Sequence, residues 1–353
     1  MGGNMSNKTK AAVVAAAVLL SGAASAQTIL TAETAAPGGI GHFNLTHIAQ
    51  VAGEADIVDI QILENQTLTD SVLNVAEGKS DMSNTPAILP FFLSKNLGPY
   101  GSLEEGKGAE LAANLRLMVP FNFSAHALYG FATSGVTSYD QLEGKTILNG
   151  PPRGGALANA RAYLQALTGL EEGNGYNGVQ VGWGQMTQSV LDGTADMNML
   201  PIGFPDDAIV AASSAGVVNI VSMPKDVFES EMFANLMKAP GRAPVVIDGD
   251  ELGYGDNENV RLISEDGKFR GVNIAGLMIV NANVPDEAVK GMVAEYIATL
   301  DELLAKSPAL ANAGIGVVDE SLTAVCGNNP VKYHPGAVMA WEEAGYTIPD
   351  CAK

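Results

Sequence analysis

The sequence predicts an α/β chain folded as two Rossmann-like lobes joined by a two-stranded hinge. Three observations carry that prediction. The 353 residues are enough for two lobes, each with its own core. One succession of strand, glycine turn, helix, strand and helix occurs twice. Two apolar strand-like runs lie where the chain would pass between lobes.

Taken in order, residues 28–34 (TILTAET) alternate as a strand, and Pro37-Gly38-Gly39-Ile40-Gly41 turns into a helix near 43–52. Ile57 to Leu63 alternates again, and a helix near 66–77 sets Leu68, Val72, Val75 and Ala76 on one face. Gly78 stands where a left-handed C-cap residue would, opening Gly-Lys-Ser-Asp-Met. The order returns with strand Lys145 to Asn149, turn Pro151-Pro152-Arg153-Gly154-Gly155, helix Ala156 to Leu167, strand Val179 to Trp183, helix Met186 to Leu191, then Gly193-Thr-Ala-Asp-Met. From Gly38 to Gly78 is 40 residues, and from Gly154 to Gly193 is 39. Between the copies, Ala127 to Ala132 is a strand candidate for one crossing, and Gly271 to Asn281 is another. Pro285 opens a long helix whose Val289, Met292, Val293, Tyr296, Ile297, Leu300 and Leu303 should face the first lobe. The expected division is 27–126 with 282–353 as lobe 1 and 127–281 as lobe 2, with crossings near 127–133 and 271–281. Ligands of such sheets sit beyond the carboxyl ends of the strands, where both glycine turns lie.

Residues 1–26 read as a secretory signal: Lys8 and Lys10 precede the apolar run Ala11 to Leu20, and Ala24-Ser25-Ala26 is a cleavage pattern. The run is shorter than a membrane span needs, so the expectation is export, cleavage after Ala26 and no stable membrane insertion. The net charge is −20, and −22 without the two leader lysines. Such a field repels nucleic acid, and an anionic ligand would need a local cluster of donors. Cys326 and Cys351 are the only cysteines. In an exported chain the pair favours a structural disulfide, two free thiols being the alternative.

Catalytic signatures are absent: there is no G-x-S-x-G, no P-loop and no H-E-x-x-H. Asp248 to Gly253 begins like a calcium loop but has Leu252 at position five and Asn259 at position twelve, so it reads as a solvated acidic loop. No enzyme, metal or cofactor is expected. His42, at the first turn, and His126, at the first crossing, could line a cleft or be satisfied structural histidines; His47 and His334 are weaker candidates. Arg153, one of six arginines, stands before a helix N-terminus, where its fork could grip a carboxylate. The rival reading pairs it with a nearby Asp or Glu.

With these features together, the sequence resembles the TAXI-type solute receptors of tripartite ATP-independent periplasmic (TRAP) transporters, which have the type II periplasmic binding protein architecture. The resemblance rests on PGGIGHF (37–43), GKSDM (78–82), LEGKTILNGPPRGGA (142–156), DGTADMNMLPIGFP (192–205) and YHPGAVMAWEEAGY (333–346). It implies a monomeric periplasmic receptor that closes on a small organic anion and presents it to TRAP membrane permease subunits. It places ligand contacts at Gly39, His42, Phe43, Asn65, Gln66, Asn84, Thr85, Arg153, Gly154, Gly155, Ala156 and Pro201 to Phe204; His126 joins them by position alone. The first turn has His42 and Phe43 where the family often has Tyr, and the second has Arg153-Gly154-Gly155 for Gly-Ser-Gly. The added arginine suggests a carboxylate or sulfonate. Two alternatives remain: an ATP-driven importer's receptor for an aromatic or sulfonate ligand, and a secreted enzyme on the same scaffold.

Overall fold

In the computed structural model of the protein, the described residues are 1–2, 28–310, 325–326 and 329–353. The expected leader, beyond Met1 and Gly2, lies outside them. In chain order the first half gives β1 (Thr28–Glu33), α1 (Ile40–Glu54), β2 (Val58–Leu63), α2 (Leu68–Ala76), β3 (Met82–Pro86), α3 (Ile88–Ser94), α4 (Lys107–Ala112) and β4 (Leu115–Phe131). There follow β5 (Thr146–Leu148), α5 (Gly155–Thr168), β6 (Glu171–Glu172), β7 (Gly175–Val179), α6 (Trp183–Leu191), β8 (Met197–Ile202), α7 (Asp207–Ser213) and β9 (Val218–Val221). The remainder is α8 (Lys225–Phe228), α9 (Glu231–Leu236), β10 (Arg242–Asp248), β11 (Val260–Ile263), β12 (Lys268–Asn281), α10 (Asp286–Ala298), α11 (Leu300–Leu304), β13 (Lys332–Tyr333) and α12 (Pro335–Glu343).

The duplication read in the sequence is a duplication of topology. The first lobe's sheet runs β2-β1-β3-β12-β4, and the second runs β7-β5-β8-β4-β9. In each, the first three strands are parallel and the fourth is antiparallel to its neighbours. The long strands are exchanged: β12 is the antiparallel fourth strand of the first lobe, and β4 fills that place in the second. This is the two-lobed type II architecture. One core holds residues from Leu30 to Phe121 and from Ala275 onward, whereas Ala125 and Ile274 belong to the cores of the second lobe. The chain thus passes between cores around Asn122 to Ser124 on β4, where the β4/β12 register shifts at Ile274/Ala275.

The repeated G-x-x-D-M segments tie strand to strand. Asp81 accepts hydrogen bonds from Thr31 N at 2.7 Å and Thr31 Oγ1 at 3.0 Å, while its own N–H donates to Thr31 O. Asp196 accepts from Thr146 N at 2.8 Å and donates its N–H to Thr146 O. Both pairs are 50 residues apart, and Gly78 and Gly193 have φ of 70° and 59°. The motif pins the first residue pair of β3 to β1 and of β8 to β5, satisfying backbone groups that would otherwise be buried unpaired.

Two elements differ from the sequence reading. The strand expected at Val179 to Trp183 is β7, ending at Val179, and Trp183 opens α6. Its neighbour β5 stops at Leu148 before Pro151-Pro152, so the regular ladder ends at Val179, and beyond it Val181 N–H still bonds Gly150 O at 3.2 Å before the chain enters α6. The long helix after Pro285 breaks at Thr299, whose hydroxyl bonds Glu295 O at 2.7 Å and His47 Nε2 at 2.9 Å. α10 still packs on α1 and α12, in the first lobe's core. Cys326 and Cys351 form a disulfide, with Cα atoms 5.1 Å apart. No helix among the described residues is long and apolar enough to cross a membrane.

Candidate functional site

A cavity of about 200 Å³ lies between the lobes, at the carboxyl ends of the strands. Its first wall is the turn Thr34 to His42 with Thr67, Leu68 and Leu89; the second is Pro151, Arg153 to Ala156, Asn159 and the α6 residues Trp183 and Met186; Phe123, Ser124, His126 and Ile274 form the floor. The lining is mainly apolar with a few polar groups, the usual composition of a small-molecule site.

Two helices point into it. α1 starts after Gly39 and α5 after Gly154, and neither N-cap residue offers a side-chain hydrogen bond. The first-turn N–H groups of a helix have no intrahelical acceptor, so both ends present donors and partial positive charge. Gly154 has φ 112°, a conformation that side-chain-bearing residues rarely adopt, and this lets the turn present the α5 end to the cleft.

The lobes are closed on one another. Arg153 Nη2 meets Asp70 Oδ2 at 2.7 Å across the cleft. A Cβ built on Gly154 would stand 3.6 Å from Thr67 Cγ2, and one on Gly184 would stand 3.6 Å from Asn65 Oδ1. Gly203 likewise faces Ile40, and Gly38 faces the carboxylate of Asp207.

Of the residues expected to contact a ligand, Gly39, His42, His126, Arg153, Gly154, Gly155, Ala156, Pro201, Ile202 and Gly203 line the cavity. Six do not. Phe43 packs on the first core. Asn65 and Gln66 turn the chain from β2 into α2, their N–H groups donating to Ala35 O and Thr34 O. Asn84 is buried and donates to Gly41 O, bracing the first turn of α1 from behind. Thr85 is buried beside it, bonded to Pro86 O. Phe204 packs edge-on against Phe269, centroids 4.7 Å apart, inside the second lobe.

Two of the lining side chains are engaged with protein. His42 accepts from Gly38 N through Nδ1 at 3.4 Å and meets Glu64 Oε1 through Nε2 at 2.8 Å, which orders the first turn. Arg153 is largely exposed and its guanidinium is paired with Asp70, the rival reading of that residue. His47 and His334 serve packing; His334 Nδ1 accepts from Gly336 N as the N-cap of α12. Asp248, in the calcium-like loop, is paired with Lys268. Among the described residues, no group of three or more His, Cys, Asp or Glu could hold a metal ion.

His126 and several polar groups not singled out in the sequence complete the site. His126 is buried, and burial and then the charge of Arg242 push its pKa down to about 3, with the Ala156 backbone opposing, so the imidazole is neutral at pH 7. Ser124 Oγ is buried without a hydrogen-bond partner among the described residues. Asp206 caps α7, accepting from Ala208 N at 3.0 Å and Ile209 N at 3.2 Å; burial nevertheless pushes its carboxyl up to about 6. Asn159 stands one turn into α5 at the cavity, held by Arg242 Nη2 at 2.9 Å. Asn159 was legible as a polar residue on a buried helix face. Arg242 was not, because the antiparallel pairing of β10 with β12 brings it there.

The sequence profile of the NMT1-like family matches residues 101–345. No curated protein matches the chain. Among solved structures, it is similar to one from Bordetella bronchiseptica RB50, at 14% identity, covering 91% of this chain and 99% of that one with a TM-score of 0.51. Further similar structures are the alkanesulfonate-binding protein SsuA from Xanthomonas axonopodis pv. citri bound to MOPS (12% identity, 84% and 88% covered, TM-score 0.48) and a TRAP periplasmic solute binding protein from Ralstonia eutropha H16 with bound (S)-2-acetolactate (12%, 90% and 90%, 0.43). At these identities the likeness concerns the fold alone.

Proposed function

Because the chain belongs to the NMT1-like family, we propose that it is a periplasmic solute-binding protein that closes on a small organic anion, a carboxylate before a sulfonate, and delivers it to a TRAP permease. The observation that supports this most is the closed interlobe cavity onto which the uncapped N-termini of α1 and α5 converge. Backbone donors and helix dipoles suit negative charge there. In a protein of net charge −20, such local donors are what an anion requires. The apolar lining from Leu68, Leu89, Trp183 and Met186 suits a ligand with a short carbon body. Arg153 contributes by holding the lobes together through Asp70. In this reading the protein performs no chemistry on its ligand, works as a monomer, and loses its leader after Ala26.

A thermal-shift panel of organic acids, sulfonates, amino acids and neutral sugars tests the binding. A ligand at about a thousand times its Kd adds about 4 kcal/mol to stability. Organic acids are expected to shift the melting temperature, and a response confined to sugars would overturn the anion reading. Uptake that follows an ion gradient rather than ATP supply separates a TRAP permease from an ATP-driven importer.

A further inference from the structure

The two helix ends that meet at the cavity are electrostatically unlike. The α1 end faces acid: the Asp207 carboxylate lies 3.5 Å from where a Cβ on Gly38 would stand, and Asp206 lines the same side. The α5 end faces donors. Arg153 and Asp70 cancel there as a pair, but Arg242 has no carboxylate partner among the described residues. Its guanidinium donates to Asn159 Oδ1 and Leu236 O and lies 5.0 Å from the centre of the Tyr163 ring. Arginine can only donate, so the oxygen of the Asn159 amide must face it. The amide NH₂ is thereby turned the other way. Asn159 is 4% exposed, lines the cavity, and its nitrogen meets no acceptor among the described residues.

We propose that the anionic group of the ligand binds at the α5 end, donated to by the first-turn N–H groups and by Asn159 Nδ2, and that Arg242 is the positioning residue that sets the charge preference of the cleft. This rests on the solute-binding reading and deepens it. Arg242 acts in two ways. It fixes the Asn159 amide so that a donor meets the ligand, and its charge, uncompensated by any described carboxylate, favours an oxyanion over a neutral isostere in a site shielded from water. The ligand class is a monocarboxylate with a short apolar body, its carbon chain running toward Trp183 and Met186.

The test uses the mature protein and a defined panel: straight-chain monocarboxylates from acetate to hexanoate, their 2-hydroxy and 2-oxo derivatives, and benzoate, each beside its primary amide, measured by calorimetric titration. Wild type is expected to prefer an acid over its amide by at least tenfold. Arg242→Gln should reduce that preference to threefold or less, with Arg242→Lys restoring part of it. Asn159→Asp keeps the packing, neutralises Arg242 and turns the donor into an acceptor, and should abolish acid binding even if Arg242→Gln does not fold. Arg153→Ala should weaken acid and amide alike, as a lobe contact would. An unchanged acid-to-amide ratio in folded Arg242→Gln, or unchanged acid affinity in Asn159→Asp, overturns the role of Arg242 and leaves the solute-binding reading standing. Failure of every acid to bind wild type overturns the anion reading and this inference with it.

Discussion

Asp206 has a carboxyl whose burial costs stability at neutral pH. Its pKa rises from 3.8 unfolded to about 6 folded. Below about pH 4 the group is protonated in both states and imposes no penalty. Between about pH 4 and 6 the unfolded chain loses the proton first, so stability falls as pH rises and stays lowered above 6. Asn also caps helices, so Asp206→Asn keeps the α7 cap and removes the charge. The variant should be more stable than wild type at pH 7 by up to about 3 kcal/mol, with the advantage vanishing below pH 4 in denaturant titrations. His126 has the opposite sign: its lowered pKa makes stability fall as pH drops from about 6.5 toward 3. Arg153 illustrates what a single residue's position reveals. Its place before α5 was plain in the sequence, but Asp70, 83 residues away, was not. Both side chains are well exposed, so a double-mutant cycle over Arg153→Ala and Asp70→Ala should give a coupling of no more than about 1 kcal/mol in stability.

At the scale of elements, the most informative signal was a repeat. The two G-x-x-D-M segments marked where β3 and β8 begin, because each aspartate accepts from a backbone N–H of the strand beside it. Asp81→Ala and Asp196→Ala should therefore each cost about 1–3 kcal/mol, with similar effects in the two lobes, measured by chemical denaturation. A negligible effect at either position would show that the ladder holds without its aspartate. Helices with a clear apolar stripe and a glycine boundary were legible: α1, α2 and α5 fall where the pattern puts them. The strand misplaced at Val179 to Trp183 failed for a reason local pattern does not encode, since the regular ladder ends where the neighbouring β5 ends. Site residues taken from family resemblance divided similarly. Those on the glycine turns reach the cavity, except Phe43, which packs on the first core, whereas Asn84 and Thr85 lie within the β3 ladder with side chains buried behind the turn.

At the scale of the molecule, β4 and β12 belong to both sheets, so the lobes share backbone at their junction. The two lobes followed from the doubled pattern, whereas the chain first passes between cores at Asn122 to Ser124, ahead of the run Ala127 to Ala132 read as that crossing. What did not follow was the polarity of the cleft, which depends on Arg242 and Asp206 arriving from distant strands and loops. The disulfide closes a 25-residue separation beside the first core. In the chain-entropy account its reduction should cost about 3.5 kcal/mol, read as a lower melting temperature in the presence of reductant. Whether the interlobe cavity holds a small organic anion, as proposed, is read out by native mass spectrometry of gently purified protein, followed by denaturing release and identification of the bound species. One organic acid per chain is expected, displaced by excess of the same acid and absent from Asn159→Asp. A neutral or cationic molecule bound in its place, or an empty protein that no organic acid stabilises, would contradict it.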